Sequence, residues 1–235
     1  MKIQFKSLII HEDEQYLIVN KPPFVSTLED RMDPTNMLSS AKDYNKEVQA
    51  CHRLDKETSG ILVFSKTADA YRNLAIQFEK RQVEKVYHAI SHGIHDCDGI
   101  KIEVPLSISG KGIVRVDREG KPAETRVKTG EVFKNHTLFY CKPITGRTHQ
   151  IRVHLAYMQA SIVNDNMYGG KDIFLSDIKR KFNLKKDEEE RPLIKRVALH
   201  SYSIAFTDLD GKQISVVAPY PKDFEVLVKQ LRKNA

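Results

Sequence analysis

Cys51-His52-Arg53-Leu54-Asp55-Lys56-Glu57-Thr58-Ser59-Gly60 leads directly into Ile61-Leu62-Val63-Phe64. Four apolar residues, half of them β-branched and bounded upstream by Thr-Ser-Gly, read as a buried strand reached through a tight turn. The charged cluster of His52, Arg53, Asp55, Lys56 and Glu57 then occupies a loop whose end is held by a rigid element. Loops fixed in this way are where proteins concentrate chemistry, because the scaffold sets position while the loop stays accessible. The competing reading is a solvated charged turn. The rest of the chain decides between them.

Bulk properties narrow the classes. A length of 235 residues suits one or two domains with a sizeable core. The excess of 38 Lys and Arg over 31 Asp and Glu, a formal +7, favours an anionic partner, of which nucleic acid is the commonest. No apolar run approaches the length of a membrane span, and charge recurs within a few residues of the N-terminus, so neither a membrane helix nor a signal peptide is expected. Cys51, Cys97 and Cys141 are few and form no Cys-x-x-Cys pair. That usage fits a reducing cytoplasm with no disulfide framework and no zinc knuckle.

In chain order, Leu8-Ile9-Ile10 and Tyr16-Leu17-Ile18-Val19 flank a polar connection and predict a β-hairpin, which Asn20-Lys21-Pro22-Pro23 terminates. Residues 26–50 are polar, with a short helix expected over 34–45. Thr67 can cap a helix to about Lys80, with Ala70, Leu74, Ala75 and Phe78 turned to a core. Residues 83–90 alternate as a strand, with Glu84-Lys85-x-Tyr87 along it. Between 99 and 143, Gly110, Gly112, Gly120 and Gly130 punctuate short runs at 101–104, 113–116, 125–128 and 137–141, the pattern of a β-meander. Residues 171–196 read as a surface insertion, basic over 179–186 and acidic over 187–190, either a solvated excursion or an arm for phosphates. A last strand is expected over 214–218. Pro221 opens a terminal helix with Phe224, Leu227, Val228 and Leu231 on one face. With no internal repeat or low-complexity linker, residues 1–235 read as a single α+β domain built on a mixed, mostly antiparallel sheet flanked by helices.

A second decisive stretch is Gly146-Arg147-Thr148-His149-Gln150-Ile151-Arg152-Val153-His154-Leu155. Ile151, Leu155 and Met158 predict a helix over 148–159. Arg147, His149, Gln150 and Arg152 then fall near its start, where exposed backbone N–H groups favour anions. A metal reading fails on spacing. His149 and His154 are five residues apart, about 140° out of alignment on a helix, and no carboxylate sits where a zinc site needs one.

Four ordered stretches resemble the RluA-type pseudouridine synthases, enzymes that isomerise uridine in RNA. They are the Asn-Lys-Pro at 20–22, His-Arg-Leu-Asp-x-x-Thr-Ser-Gly at 52–60, Glu-Lys-x-Tyr at 84–87 and Gly-Arg-Thr-His-Gln-Ile-Arg-x-His-Leu at 146–155. Weaker matches lie at Gly120-Lys121-x-Ala123-x-Thr125, at Tyr168-Gly169-Gly170 and at 196–202. The resemblance runs from about residue 8 to 226. Asn164 departs from it, since the family has Gly-Asp before its Tyr-Gly-Gly, and a different local turn is expected there. The match begins almost at residue 1, so the N-terminal RNA-binding module of many family members is expected to be missing.

The resemblance implies a pseudouridine synthase fold, no cofactor, no metal, and structured RNA, ribosomal or transfer, as the partner of a cytoplasmic monomer. It also implies roles. Asp55 is the carboxylate that attacks C1′ of the ribose or removes the C2′ proton, two chemistries the residues leave open. Arg147 pairs with it, because a guanidinium opposes protonation of a carboxylate in a dry pocket; Arg152 is the second candidate for that position. Tyr87 lies against the target base, Leu199 packs under it, Arg53 fills the gap left in the RNA, and His52 and Arg152 contact substrate. Two other classes compete. One is a non-catalytic RNA-binding protein in which Asp55 and Arg147 form a structural ion pair. The other is a hydrolase using His52 or His149 with Asp55, although no Gly-x-Ser-x-Gly elbow is present.

Overall fold

A computed structural model describes residues 4–29, 35–110, 112–184 and 189–235. In chain order the elements are β1 (Ile9–Glu12), β2 (Tyr16–Lys21), α1 (Met37–Tyr44), β3 (Gln49–Ala50), β4 (Ser59–Ser65), α2 (Ala68–Glu79), β5 (Glu84–His92) and β6 (Ile100–Ile102). There follow β7 (Leu106–Ile108), β8 (Val114–Val116), β9 (Thr125–Val132), β10 (His136–Pro143), α3 (Gln150–Tyr157), α4 (Leu175–Ile178), β11 (Leu199–Thr207), β12 (Gln213–Val217) and α5 (Lys222–Lys233). The class is α+β, a mixed sheet of mostly antiparallel strands flanked by helices. No helix among the described residues is long and apolar enough to cross a membrane.

The chain divides into two compact units. The first comprises Met1–Val86 and His200–Pro219. Its strands run β1-β2-β4-β11, with β3 also on β4 and β12 also on β11. β4 is central: β2 pairs with it antiparallel and β11 parallel, and all seven of its residues are buried. Ile61 and Val63 face one core, with Ala70 and Leu74 of α2. Leu62 and Phe64 face a second, with Met37 and Ala41 of α1. A strand covered on both faces needs an unbroken apolar run, which explains why Ile-Leu-Val-Phe does not alternate. The helices start on their caps: Asn36 Oδ1 accepts the Ser39 N–H at 2.8 Å, and Thr67 Oγ1 the Ala70 N–H at 3.1 Å. Pro34 lies outside the described residues.

The second unit comprises Tyr87–Leu199 and Tyr220–Ala235. Its strands run β5-β10-β9-β6, all antiparallel, and β7-β8 form a separate hairpin. The core joins Ala89, Val127, Phe139 and Cys141 of the sheet to Ile151 and Leu155 of α3 and to Phe224, Leu227, Val228 and Leu231 of α5. Residues 171–196 are less of a surface excursion than their charge suggests, because Ile173, Ile178 and Ile194 enter that core. Part of the basic-to-acidic run, residues 185–188, lies outside the described residues.

Candidate active site

In the first unit, the loop between β3 and β4 is tied down on either side of Asp55. Leu54 is buried, and Thr27 Oγ1 both accepts the Leu54 N–H and donates to its carbonyl, each at 3.0 Å. The Asp55 carbonyl accepts the Thr58 N–H at 3.1 Å, closing a turn. Lys21 is fully buried and donates from Nζ to the carbonyls of Pro22, Val25 and Lys56, the last at 3.2 Å. The carboxylate of Asp55 thus stands half-exposed between anchored neighbours, with Arg53, Lys56 and Glu57 exposed around it. A loop held this way loses little further conformational freedom when substrate arrives.

His52 supports the loop from below. Its Nε2 accepts the Val63 N–H at 3.1 Å, and its ring lies 5.5 Å from that of Phe78. Burial, with the Lys85 charge second, pushes its pKa down to about 4, and burial pushes Lys85 down to about 8. Ser59 and His200 form a buried polar pair beneath the same loop. The His200 Nε2–H donates to the Ala218 carbonyl at 3.1 Å, and Nδ1 meets Ser59 Oγ at 2.9 Å.

In the second unit, the stretch 146–155 is organised by an inward-facing side chain. Gln150 is 4% exposed and opens α3. Its Oε1 accepts the Arg147 N–H at 3.0 Å and the Thr145 hydroxyl at 2.6 Å. Its Nε2 donates to the Glu124 carbonyl and to Thr125 Oγ1, both at 2.9 Å. His154, also fully buried, continues the network from Thr125 to the Val104 carbonyl. Arg147 is exposed, with Nε donating to the Pro122 carbonyl at 3.1 Å. The helix begins two residues later than expected because His149 adopts a left-handed conformation, φ 52°.

Arg152, expected to contact substrate, is turned inward. Nε and Nη2 donate to the two oxygens of the buried Asp165, each at 2.7 Å, and the Tyr168 ring lies 4.9 Å from the guanidinium carbon. Tyr87 is half-buried on β5 and pairs with Cys141. Leu199 is buried at the start of β11. Asn164 takes φ 61°, a left-handed conformation that asparagine tolerates better than most residues after glycine. Asp55, Arg53 and His52 therefore share one loop of the first unit, and Tyr87, Arg147, Arg152 and Leu199 belong to the second.

Three buried polar residues escaped the sequence reading: Lys21, Gln150 as an inward clamp, and Arg196. Arg196 is fully buried, grips Asp223 through Nε (2.7 Å) and Nη2 (3.1 Å), and donates Nη1 to the Val197 and Leu199 carbonyls. For Lys21 and Arg196 the available signal was a cation set against a proline-rich or apolar run; the neutral Gln150 offered none. Among the described residues, no three His, Cys, Asp or Glu side chains are grouped to hold a metal ion.

The buried histidines make stability depend on pH. His136 is also pushed down to about 4, by burial first and the His92 charge second, and neither of its ring nitrogens has a hydrogen-bond partner among the described residues. An unfolded histidine titrates near 6.5, so between pH 6.5 and 4 the unfolded chain binds protons that the native His52 and His136 refuse. Stability is complete above 6.5 and is lost as pH falls through this window, by about 3 kcal/mol for each residue. Urea unfolding at pH 8, 6, 5 and 4 should show midpoints dropping below pH 6.5, with a shallower drop for His136→Leu. A flat profile down to pH 4 contradicts both assignments.

Comparison with known proteins identifies the family. Residues 15–157 match the family described as RNA pseudouridylate synthase. A ribosomal large subunit pseudouridine synthase C from Buchnera aphidicola is 35% identical over 98% of this chain and 72% of its own length. A ribosomal large subunit pseudouridine synthase D from Neisseria meningitidis serogroup B is 34% identical over 97% of this chain and 62% of its own. In fold, the chain is similar to the solved structure of human RNA pseudouridylate synthase domain containing 4, with TM-score 0.73 and 23% identity over 97% of this chain and 95% of that one. A loop-borne aspartate in His-Arg-Leu-Asp, a Gly-Arg-Thr-His-Gln helix start and a match spanning both units place this chain in the RNA pseudouridylate synthase family, as a pseudouridine synthase and hence an isomerase.

Proposed function

We propose that the protein converts a uridine of large-subunit ribosomal RNA into pseudouridine, with Asp55 as the reacting carboxylate. The observation that carries this reading is the half-exposed Asp55 at the centre of a loop anchored through Leu54, Thr58 and Lys21. The reaction breaks the bond between ribose C1′ and N1, turns the uracil, and joins C5 to C1′. C5 gives up a proton and N1 takes one, so composition is unchanged and no cofactor is required. An ionised carboxylate serves as nucleophile at C1′ or as base at C2′.

The remaining residues divide the other requirements. A stacked uridine has to leave the helix before Asp55 reaches its sugar. Tyr87 receives the base, stacking of this kind being worth about 1–3 kcal/mol, and Leu199 backs it. Arg53, exposed beside Asp55, fills the vacated position in the RNA. Arg147 supplies the guanidinium that partners the Asp55 carboxylate. His52, partly exposed, steadies the Asp55 loop by accepting the Val63 N–H, and Arg152 is held inward by Asp165. The names of the relatives support ribosomal RNA as substrate, and with it a cytoplasmic setting.

The test is carbodiimide-blocked reverse transcription on total RNA from cells lacking the protein, treated with the purified chain. A new stop in large-subunit ribosomal RNA is the expected result. A stop confined to transfer RNA would replace the substrate, and no stop from folded, RNA-binding protein would overturn the reading.

A further inference from the structure

We infer that Gln150 is a positioning residue for Arg147, acting on the reaction through the backbone of the Gly146–Arg147 turn. The inference rests on the reading of Arg147 as partner of the Asp55 carboxylate. Gln150 is 4% exposed. Its carboxamide has two acceptor sites and two donors, and all four are engaged: Arg147 N–H and Thr145 hydroxyl on Oε1, Glu124 carbonyl and Thr125 hydroxyl on Nε2. These bonds join the turn carrying Arg147 to the start of β9 and to the segment leading into it. Thr145 adds a second link to the same place, since its hydroxyl accepts the Glu124 N–H at 2.9 Å. The turn is held besides by Arg147 Nε on the Pro122 carbonyl (3.1 Å) and by the Gln150 N–H on the Arg147 carbonyl (3.2 Å). Among the described residues, apart from its own chain neighbours, nothing lies within 4 Å of where a Gly146 Cβ would stand, and Arg147 and Thr148 are exposed. A long exposed arginine aims accurately only if its backbone is fixed, and here the fixing bond at its own N–H comes from Gln150.

A side chain that merely stabilised the fold would act on turnover independently of Arg147. One that acts through Arg147 has nothing left to position once that guanidinium is gone. Gln150→Met keeps an unbranched chain of similar length and removes all four bonds. It should lower kcat by about 10- to 100-fold, the scale of an ångström's misplacement of a reacting group, with KM for the RNA changed less than about threefold. In an Arg147→Ala background the same change should lower kcat by less than about threefold further. Thr145→Val, which removes one bond to Oε1, should show a smaller loss with the same non-additivity, and it decides the matter where Gln150→Met does not fold by circular dichroism. Losses that multiply in the Arg147→Ala background overturn the inference. An Arg147→Ala enzyme with full turnover overturns instead the reading of Arg147 on which it stands.

Discussion

Asp55→Asn should lower turnover on the order of 10⁴-fold or more, the scale seen when a reacting side chain is lost, while RNA affinity falls by less than about threefold. The substitution keeps shape, turns one acceptor oxygen into a donor NH2, and removes charge and basicity. Either chemistry open to Asp55 needs the charge, since an amide neither attacks C1′ nor takes a proton from C2′ at useful rates. The fold should tolerate the change. Asp55 is half-exposed and outside all the apolar clusters, and the bonds that hold its loop run from the backbone of Leu54, Asp55 and Lys56 to Thr27, Thr58 and Lys21. Stability should therefore move by less than about 1 kcal/mol. Single-turnover pseudouridine formation, measured beside fluorescence anisotropy with the same RNA, checks both halves. Residual turnover within tenfold of wild type removes Asp55 from the chemistry. Loss of binding in proportion to turnover makes it a contact for RNA.

The parts of the fold that could be read from sequence are those governed by apolar patterning. The unbroken run at 61–64 signalled a strand covered on both faces, and β4 is one. The spacing of Phe224, Leu227, Val228 and Leu231 signalled the buried stripe of α5. Apolar side chains report their environment because they have a single preference. Polar side chains do not. Gln150 and Arg152 looked like groups offered to an anion, yet both face inward, because a buried carboxamide or guanidinium is stable wherever partners complete its bonds, and those partners lie far away in sequence. Glu124 stands 26 residues from Gln150, and Asp165 stands 13 from Arg152. The same blindness hides the burial of Lys21, which stands in the Asn-Lys-Pro at 20–22 at the end of a strand, and that of the isoleucines of 171–196, whose neighbours are charged. Asp55, Arg147 and Tyr87 were legible through resemblance of ordered motifs, which carries information that no local pattern does.

Gly60→Ala should cost about 4 kcal/mol or more and lower the melting temperature by about 10 °C or more, from loss of fold with no loss of any reacting group. Two penalties coincide at this position. Its φ is +109°, where an L side chain is strained by roughly 1–3 kcal/mol. An added Cβ would also stand 2.1 Å from the Ser201 carbonyl oxygen and 2.7 Å from its nitrogen, both backbone atoms of β11. Gly60 pairs with Ser201 in the parallel ladder between β4 and β11, and β4 is buried along its whole length, so neither strand can withdraw without opening a core on each face. Thermal and urea unfolding measure the loss. Gly110→Ala is the control: among the described residues, its chain neighbours aside, no heavy atom lies within 4 Å of its would-be Cβ and its φ is unexceptional, so it should shift stability by less than about 0.5 kcal/mol. A Gly60→Ala melting temperature within 2 °C of wild type would mean that β11 can move aside, and that the last residue of the Thr-Ser-Gly signature is dispensable to the fold.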